Sequence, residues 1–221
     1  STVGDPTEGA LVIASARAGL WKADLEKAFP RVAELPFDSD RKRMTTVHRP
    51  NPALVPALLN PYQDSRPDFF EPDHYLIITK GAVDSLLEVS SQVWAAGRTE
   101  QLDEIWRERI LNANNDLAKN GMRVLGLAFC QSDTSEPVEQ DLIFIGMVGM
   151  IDPARPEVQS AVQEAKAAGI RTVMITGDHP LTAAYIAADL GIAERGKTLT
   201  GRDLDGMTVE QLEAVVEDVP V

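Results

Sequence analysis

Residues 142–178 read LIFIGMVGMIDPARPEVQSAVQEAKAAGIRTVMITGD. The run from Leu142 to Ile151 is apolar, has Gly146 and Gly149 inside it, and is short enough for a buried strand. Asp152-Pro153-Ala154-Arg155-Pro156 stops it, because proline has no amide hydrogen for a ladder and biases the residue before it away from helix. A helix is predicted from Glu157 to Ala168. Val158, Ala161, Val162 and Ala165 share one face of it, and Gly169 stands where a left-handed C-terminal cap belongs. A second strand, Arg171 to Ile175, follows and delivers Thr176-Gly177-Asp178 before His179-Pro180 opens another helix. Strand, crossover helix and strand make one parallel unit, and in open parallel sheets ligands lie beyond the carboxyl ends of the strands. The DPAR and TGD loops are therefore expected on one rim.

Around this unit, 221 residues suffice for one large or two small domains. A formal net charge of −13 argues against a nucleic-acid-binding surface, which needs positive stripes. The single cysteine, Cys130, excludes a disulfide framework and a Cys-rich zinc site, and fits a reducing compartment. His48, His74 and His179 lack metal-ligand spacing, so no metal site is expected. The longest apolar run falls far short of the roughly 20 residues needed to cross a bilayer, so the chain is expected to be soluble and not itself membrane-inserted. It opens without an initiator methionine or signal peptide and ends at Val219-Pro220-Val221, which reads as a fragment of a longer protein.

The first helix runs from Leu11 through Ala16 to Gly19, with Thr7 or Asp5 as its cap. Glu8 either belongs to that capped turn or points into a ligand cleft. Lys22 to Phe29 is a short amphipathic segment. FDSDRKRMTTVHR, residues 37–49, reads as a turn and a strand on which Arg41 and Arg43 point one way and Lys42 the other. Those cations either guard a solvated edge or serve a ligand. Five prolines between Asn51 and Asp73 mark a long loop with one helical turn at Ala53 to Leu59. His74 to Thr79 is a strand delivering Lys80-Gly81-Ala82, where the lysine either meets an anion at a helix amino terminus or is a surface residue in a turn.

The longest helix is predicted over Thr99 to Asn120, and Met122 to Cys130 is a strand with Arg123, Leu125, Leu127 and Phe129 on one face. Arg123 there either snorkels or holds a ligand. Leu181 to Leu190 is helical, Leu199-Thr200-Gly201 reads as a short strand and turn, and Thr208 opens a capping box for a last helix to Glu217. The fold class is α/β in two parts. Residues 1–140 form an antiparallel sheet flanked by helices, residues 141–221 a parallel α/β layer, and the join lies in the polar segment 131–140.

Phe37, Lys42, Lys80 and Arg123 fall in separate strands of one predicted sheet, with Glu8 on a nearby helix. An aromatic face to stack a purine, with cations to meet phosphates, is what a nucleotide cleft requires. GDPTEGAL (4–11), FDSDRKRM (37–44), ITKGA (78–82), GMRVLGLAF (121–129), DPARPEV (152–158) and VMITGDHPLTAAYIAADLGI (173–192) occur in that order. Together they resemble the cytoplasmic nucleotide-binding and phosphorylation domains of P-type cation-transporting ATPases, over nearly the whole chain and toward the calcium-pump-like branch. The resemblance implies a nucleotide-binding domain over 1–140 and part of a haloacid-dehalogenase-like phosphorylation domain over 141–221. It implies ATP as ligand and Mg2+ in the parent protein. It places Phe37 on the adenine, Lys80 and Leu125 in the same pocket, Lys42 and Arg123 toward phosphates, and Glu8 against the base. Thr176, Gly177 and Asp178 would approach the terminal phosphate, while Asp152 and Arg155 would shape the hinge and rim.

The sequence departs from the family pattern in two places. Ser39 stands where the family has an arginine, and Lys80-Gly81-Ala82-Val83-Asp84 replaces KGAPE. The nucleophilic aspartate of DKTGT and the GDGVND loop are not in these 221 residues. The resemblance thus implies a piece that binds nucleotide without forming the aspartyl-phosphate. Its partners would be ATP and the actuator and transmembrane domains of the same pump, on the cytoplasmic side of the membrane, with calcium the favoured ion. Two other readings stay open on the residues alone: a soluble haloacid-dehalogenase-type phosphatase with a cap, and a non-catalytic nucleotide-binding module.

Overall fold

The computed structural model describes residues 6–59, 71, 73–151, 154–177, 180–193, 198–217 and 219–221. Among these residues, β1 (Arg31–Asp38), β2 (Arg43–His48), β3 (Tyr75–Gly81), β4 (Ser90–Ala95), β5 (Arg98–Gln101), β6 (Arg123–Ser132) and β7 (Leu142–Met150) form one sheet in the order β1-β2-β3-β6-β7-β4-β5. The pairs β1/β2, β2/β3 and β3/β6 are antiparallel, as the sequence leads one to expect. Side chains alternate across these strands. Thr45, Val47, Ile77, Thr79 and Ala128 are buried on one face, while Met44, Thr46, Ile78 and Lys80 stand half-buried on the other. The buried face packs on α4 (Val83–Val89), where Leu86 joins Ala128, Leu142 and Phe144 in the core. Each large side chain removed from water there contributes about 1.5–3 kcal/mol.

The helix predicted from Thr99 begins later. Ala96 and Gly97 both take left-handed backbone, with φ of 49° and 84°. Two such residues make the tight turn whose twist suits a hairpin, so Arg98–Gln101 folds back on β4 as a strand. The Asp103 carboxylate then accepts from the Trp106 amide at 2.9 Å and starts α5 (Glu104–Lys119).

The parallel unit expected from residues 142–178 is not formed. α6 (Pro156–Ala167) carries its proline at the start and Gly169 beyond it at φ 77°, as read from sequence. Residues 171–177, however, belong to no strand. β7 already has β6 and β4 as its neighbours and runs parallel to β4. The Met174 amide donates instead to the Pro220 carbonyl, at 2.8 Å, and Ile175 is 94% exposed. The strand expected at Leu199 is also absent: Thr200 caps α8 (Gly201–Asp205) through a reciprocal box with Asp203.

Two compact units result, Ser1–Leu111 with Val124–Met150, and Asn112–Arg123 with Ile151–Val221. The first also contains α1 (Pro6–Arg17), α2 (Lys22–Ala28) and α3 (Val55–Leu59). The second is built from α6, α7 (Pro180–Asp189), α8 and α9 (Val209–Val215), with Ala183, Ala187 and Leu190 buried. Within it Thr182 Oγ1 donates to the Met122 carbonyl at 2.9 Å. No helix of the described residues is long and apolar enough to cross a membrane.

Candidate functional site

The site is organised by a register shift. β1 pairs Leu35 with Thr45 but Asp38 with Arg43, so one residue of β1 is extra between those pairs. A one-residue slip sends every following side chain to the other face. Asp38 therefore lies on the buried face with Arg43, and Phe37 lies on the half-buried face with Met44. There Met44 is opposite Lys80, and Lys80 is opposite Leu127. Leu125, half-buried, continues the same face of β6. Phe37 is 64% exposed, an unusual setting for a large aromatic side chain in a strand.

Lys80 reaches this face from the end of β3, and its Nζ pairs with the Glu8 carboxylate of α1. Such a part-exposed pair contributes about 0.2–1 kcal/mol to stability, yet it fixes where the ammonium stands. Gly81 follows because nothing larger fits: a Cβ there would lie 2.5 Å from both the Arg43 Cβ and the Lys42 carbonyl oxygen. Gly81 thus lets the end of β3 approach the turn between β1 and β2 closely.

That turn corrects the reading of Lys42 as a strand residue. Residues 39–42 are a turn, and Lys42 adopts left-handed backbone at φ 53°. Its amide donates to the Asp38 carbonyl at 2.7 Å and its carbonyl accepts from the Ala82 amide at 3.0 Å. The exposed ammonium lies 3.9 Å from Asp84. The Asp38 carboxylate accepts from the amides of Arg41 and Asp40, which hold it below its ordinary range.

Arg41 and Arg43 do not guard a solvated edge. Arg41 Nη1 and Arg43 Nε donate to the two oxygens of Glu139 at 2.7 and 2.8 Å, and Thr45 Oγ1 donates to the same carboxylate at 2.8 Å. Burial alone would push the Glu139 carboxyl up, but the bonds from Arg41, Thr45 and Arg43 overcome it and leave the group below its ordinary value. Arg43 Nη1 also donates to Ser85 Oγ at 2.8 Å, and Ser85 Oγ donates to the Arg41 carbonyl at 2.6 Å. Glu139 was not anticipated: it lies in the segment read as a plain polar join. The available signal was the pair Arg41/Arg43, two cations whose shared orientation calls for a carboxylate.

Of the other residues singled out, Arg123 opens β6 and is exposed. In the second unit Thr176 and Gly177 are exposed and outside any regular element, and Arg155 is an exposed residue at the N-cap of α6 without a side-chain cap bond. Asp152 and Asp178 lie outside the described residues. Clefts of about 700 and 540 Å³ open elsewhere, one beside Lys166 and Arg171 in the second unit, the other around His74 and Cys130. Neither is lined by Phe37, Lys42 or Lys80. The Cys130 thiol is pushed up to about 11 by burial and the nearby Asp141 charge, which leaves it protonated and unreactive. Among the described residues no group of three or more His, Cys, Asp and Glu side chains gathers as a metal site.

Comparison with known proteins extends this picture. The family described as P-type ATPase, cytoplasmic domain N, matches residues 1–157. Calcium-transporting ATPase 1 of Bacillus cereus is 42% identical over 226 residues, covering 100% of this chain and 23% of that protein. Calcium-transporting ATPase 1 of Lactococcus lactis is 36% identical and Calcium-transporting ATPase of Bacillus subtilis 37%, each match covering 99% of this chain and 23% of the relative. The chain thus spans about a quarter of the length of these relatives.

Proposed function

The chain belongs to the family of P-type cation-transporting ATPases, and from that premise we propose that the face shared by Phe37, Lys80 and Leu125 binds ATP. The observation that carries this reading is the exposed Phe37, turned by the register shift onto the same face as the Lys80 ammonium. A ring free on one side stacks a purine, and a cation held near it meets the phosphates. Lys42, Arg123 and Glu8 complete the set, with Lys42 and Arg123 toward the phosphates and Glu8 toward the base. Ser39 offers no cation, so the phosphate contacts fall on those two residues and Lys80.

On the same reading residues 1–140 are the nucleotide-binding part and 141–221 belong to a haloacid-dehalogenase-like phosphorylation domain. The reaction served is ATP hydrolysis through an aspartyl-phosphate on a residue not among these 221, coupled to cation movement across a membrane. Calcium is the ion we infer, from the names of the relatives, and the actuator and transmembrane domains of the same pump are the partners. Thr176, Gly177 and Asp178 then face the terminal phosphate, with Asp152 and Arg155 at the rim. Mg2+ supplies charge neutralisation to the triphosphate and is expected to add little to affinity for this chain alone.

Titration calorimetry with ATP and AMP tests the reading. The expected Kd is on the order of 0.1–1 mM, or roughly 4–5.5 kcal/mol. Phe37→Ala is expected to weaken ATP and AMP alike, and Lys80→Ala to weaken ATP more than AMP. Unchanged affinity in both variants would show the face to be wrongly assigned.

A further inference from the structure

We propose that Glu139 is a positioning residue for the nucleotide face: by drawing in Arg41 and Arg43 it locks the bulge and turn of residues 36–42, and so places Phe37 and Lys42. The inference rests on the nucleotide-binding reading and adds to it a residue that touches no part of the ligand. Glu139 is nearly buried, its side chain 8% exposed, and its oxygens are engaged by Arg41, Arg43 and Thr45. Thr79 Oγ1, 2.9 Å from Thr45 Oγ1, completes the chain, donating to Thr45 because the Thr45 hydroxyl is already committed to the carboxylate.

What Glu139 holds matters more than how tightly it is held. Arg41, fixed at one end by the carboxylate, donates from Nη2 to the Pro36 carbonyl at 2.8 Å. Pro36 lies within the register shift that turns Phe37 to the Lys80 face. The Arg41 carbonyl accepts from Ser85, and the next residue, Lys42, sits in left-handed backbone. A non-glycine residue keeps that conformation only where its surroundings determine it. One carboxylate therefore fixes both ends of the segment, the bulge before Phe37 and the turn at Lys42. It also occupies the guanidinium groups of Arg41 and Arg43, which leaves them as supports rather than phosphate ligands.

The test is a double-mutant cycle on this chain, with AMP and ATP as titrants and thermal melts confirming that each variant is folded at the temperature used. Glu139→Gln keeps the shape but puts an amide where one arginine needs an oxygen. It is expected to weaken AMP roughly fivefold, as loss of a well-set aromatic stack would. In a Phe37→Ala background the same substitution is expected to cost AMP binding nothing further, since it acts through that ring. If Glu139→Gln does not fold, Arg41→Ala, which leaves Glu139 paired with Arg43 and Thr45, carries the same expectation. Unchanged AMP affinity in a folded variant overturns the inference, and so does a loss that adds fully to that of Phe37→Ala. Wild-type chain that binds neither nucleotide overturns the nucleotide-binding reading together with it, whereas normal wild-type binding with an inert Glu139→Gln overturns the positioning role alone.

Discussion

Lys42 shows how a single residue can impose a cost on the fold. Its left-handed backbone, φ 53°, disfavours any side chain bearing a Cβ. Comparing Lys42→Gly with Lys42→Ala isolates that cost, because both remove the ammonium and only glycine relaxes the backbone. Lys42→Gly is expected to be the more stable by about 1 kcal/mol in urea unfolding, with ATP affinity reduced equally in the two. Equal stabilities would mean that the turn relaxes around alanine. Glu139 makes the complementary case through pH. Its folded carboxyl titrates below its ordinary value of 4.5, so the stabilisation it supplies is complete above that value and is lost as pH falls through the folded one. Unfolding free energy measured from pH 7 downward should therefore decline below about pH 4.5 more steeply in wild type than in Glu139→Gln. Glu139→Gln itself is expected to cost about 2–3 kcal/mol at pH 7, less than the loss of a fully buried pair because Arg41 is partly exposed.

At the scale of elements, the junction of β2, β3 and the 39–42 turn depends on a missing side chain. A Cβ on Gly81 would meet backbone and Cβ atoms at 2.5 Å, none of which can swing away, whereas on Gly126 it would meet the Leu86 Cδ1 at 2.9 Å, the end of a flexible side chain. Gly81→Ala is expected to cost about 3 kcal/mol and Gly126→Ala about 1 kcal/mol, measured by denaturant unfolding. The reverse order would mean that the turn, not the core, gives way. The sequence marked the strand exit, because lysine then glycine there has a local meaning, but it did not mark the turn that Gly81 meets. It foretold α6 through signals just as local, with proline at one end and glycine just past the other. It did not foretell β5, because Thr99 to Leu102 fits the helical spacing of Ile105 and Trp106, and only the Ala96-Gly97 turn separates the two readings. Nor did it foretell Glu139, whose role is set by Arg41 and Arg43, 98 and 96 residues away.

For the whole molecule, the contrast lies between a sheet whose strands have found partners and a stretch that reads as a strand without one. A short apolar run and a following TGD made residues 171–175 look like the second strand of a parallel pair. Periodicity reports what a segment would bury, not whether a neighbour is there to bury it. β7 lies between β6 and β4, while Ile170, Val173 and Ile175 are 62%, 48% and 94% exposed. Amide hydrogen exchange reads this difference directly. Amides of β2, β3 and β6 are laddered over a dry face that includes Thr45, Thr79 and Ala128, each 0% exposed, and should exchange only through large-scale opening. Amides of residues 171–177, of which Met174 bonds the Pro220 carbonyl, should exchange through local opening, faster by about a hundredfold or more. Saturating ATP should slow exchange further around residues 37–44 and 78–82. Slow exchange over 171–177 in the chain alone would instead mean that this stretch has found a strand partner in solution, and the parallel unit read from the sequence would then be restored.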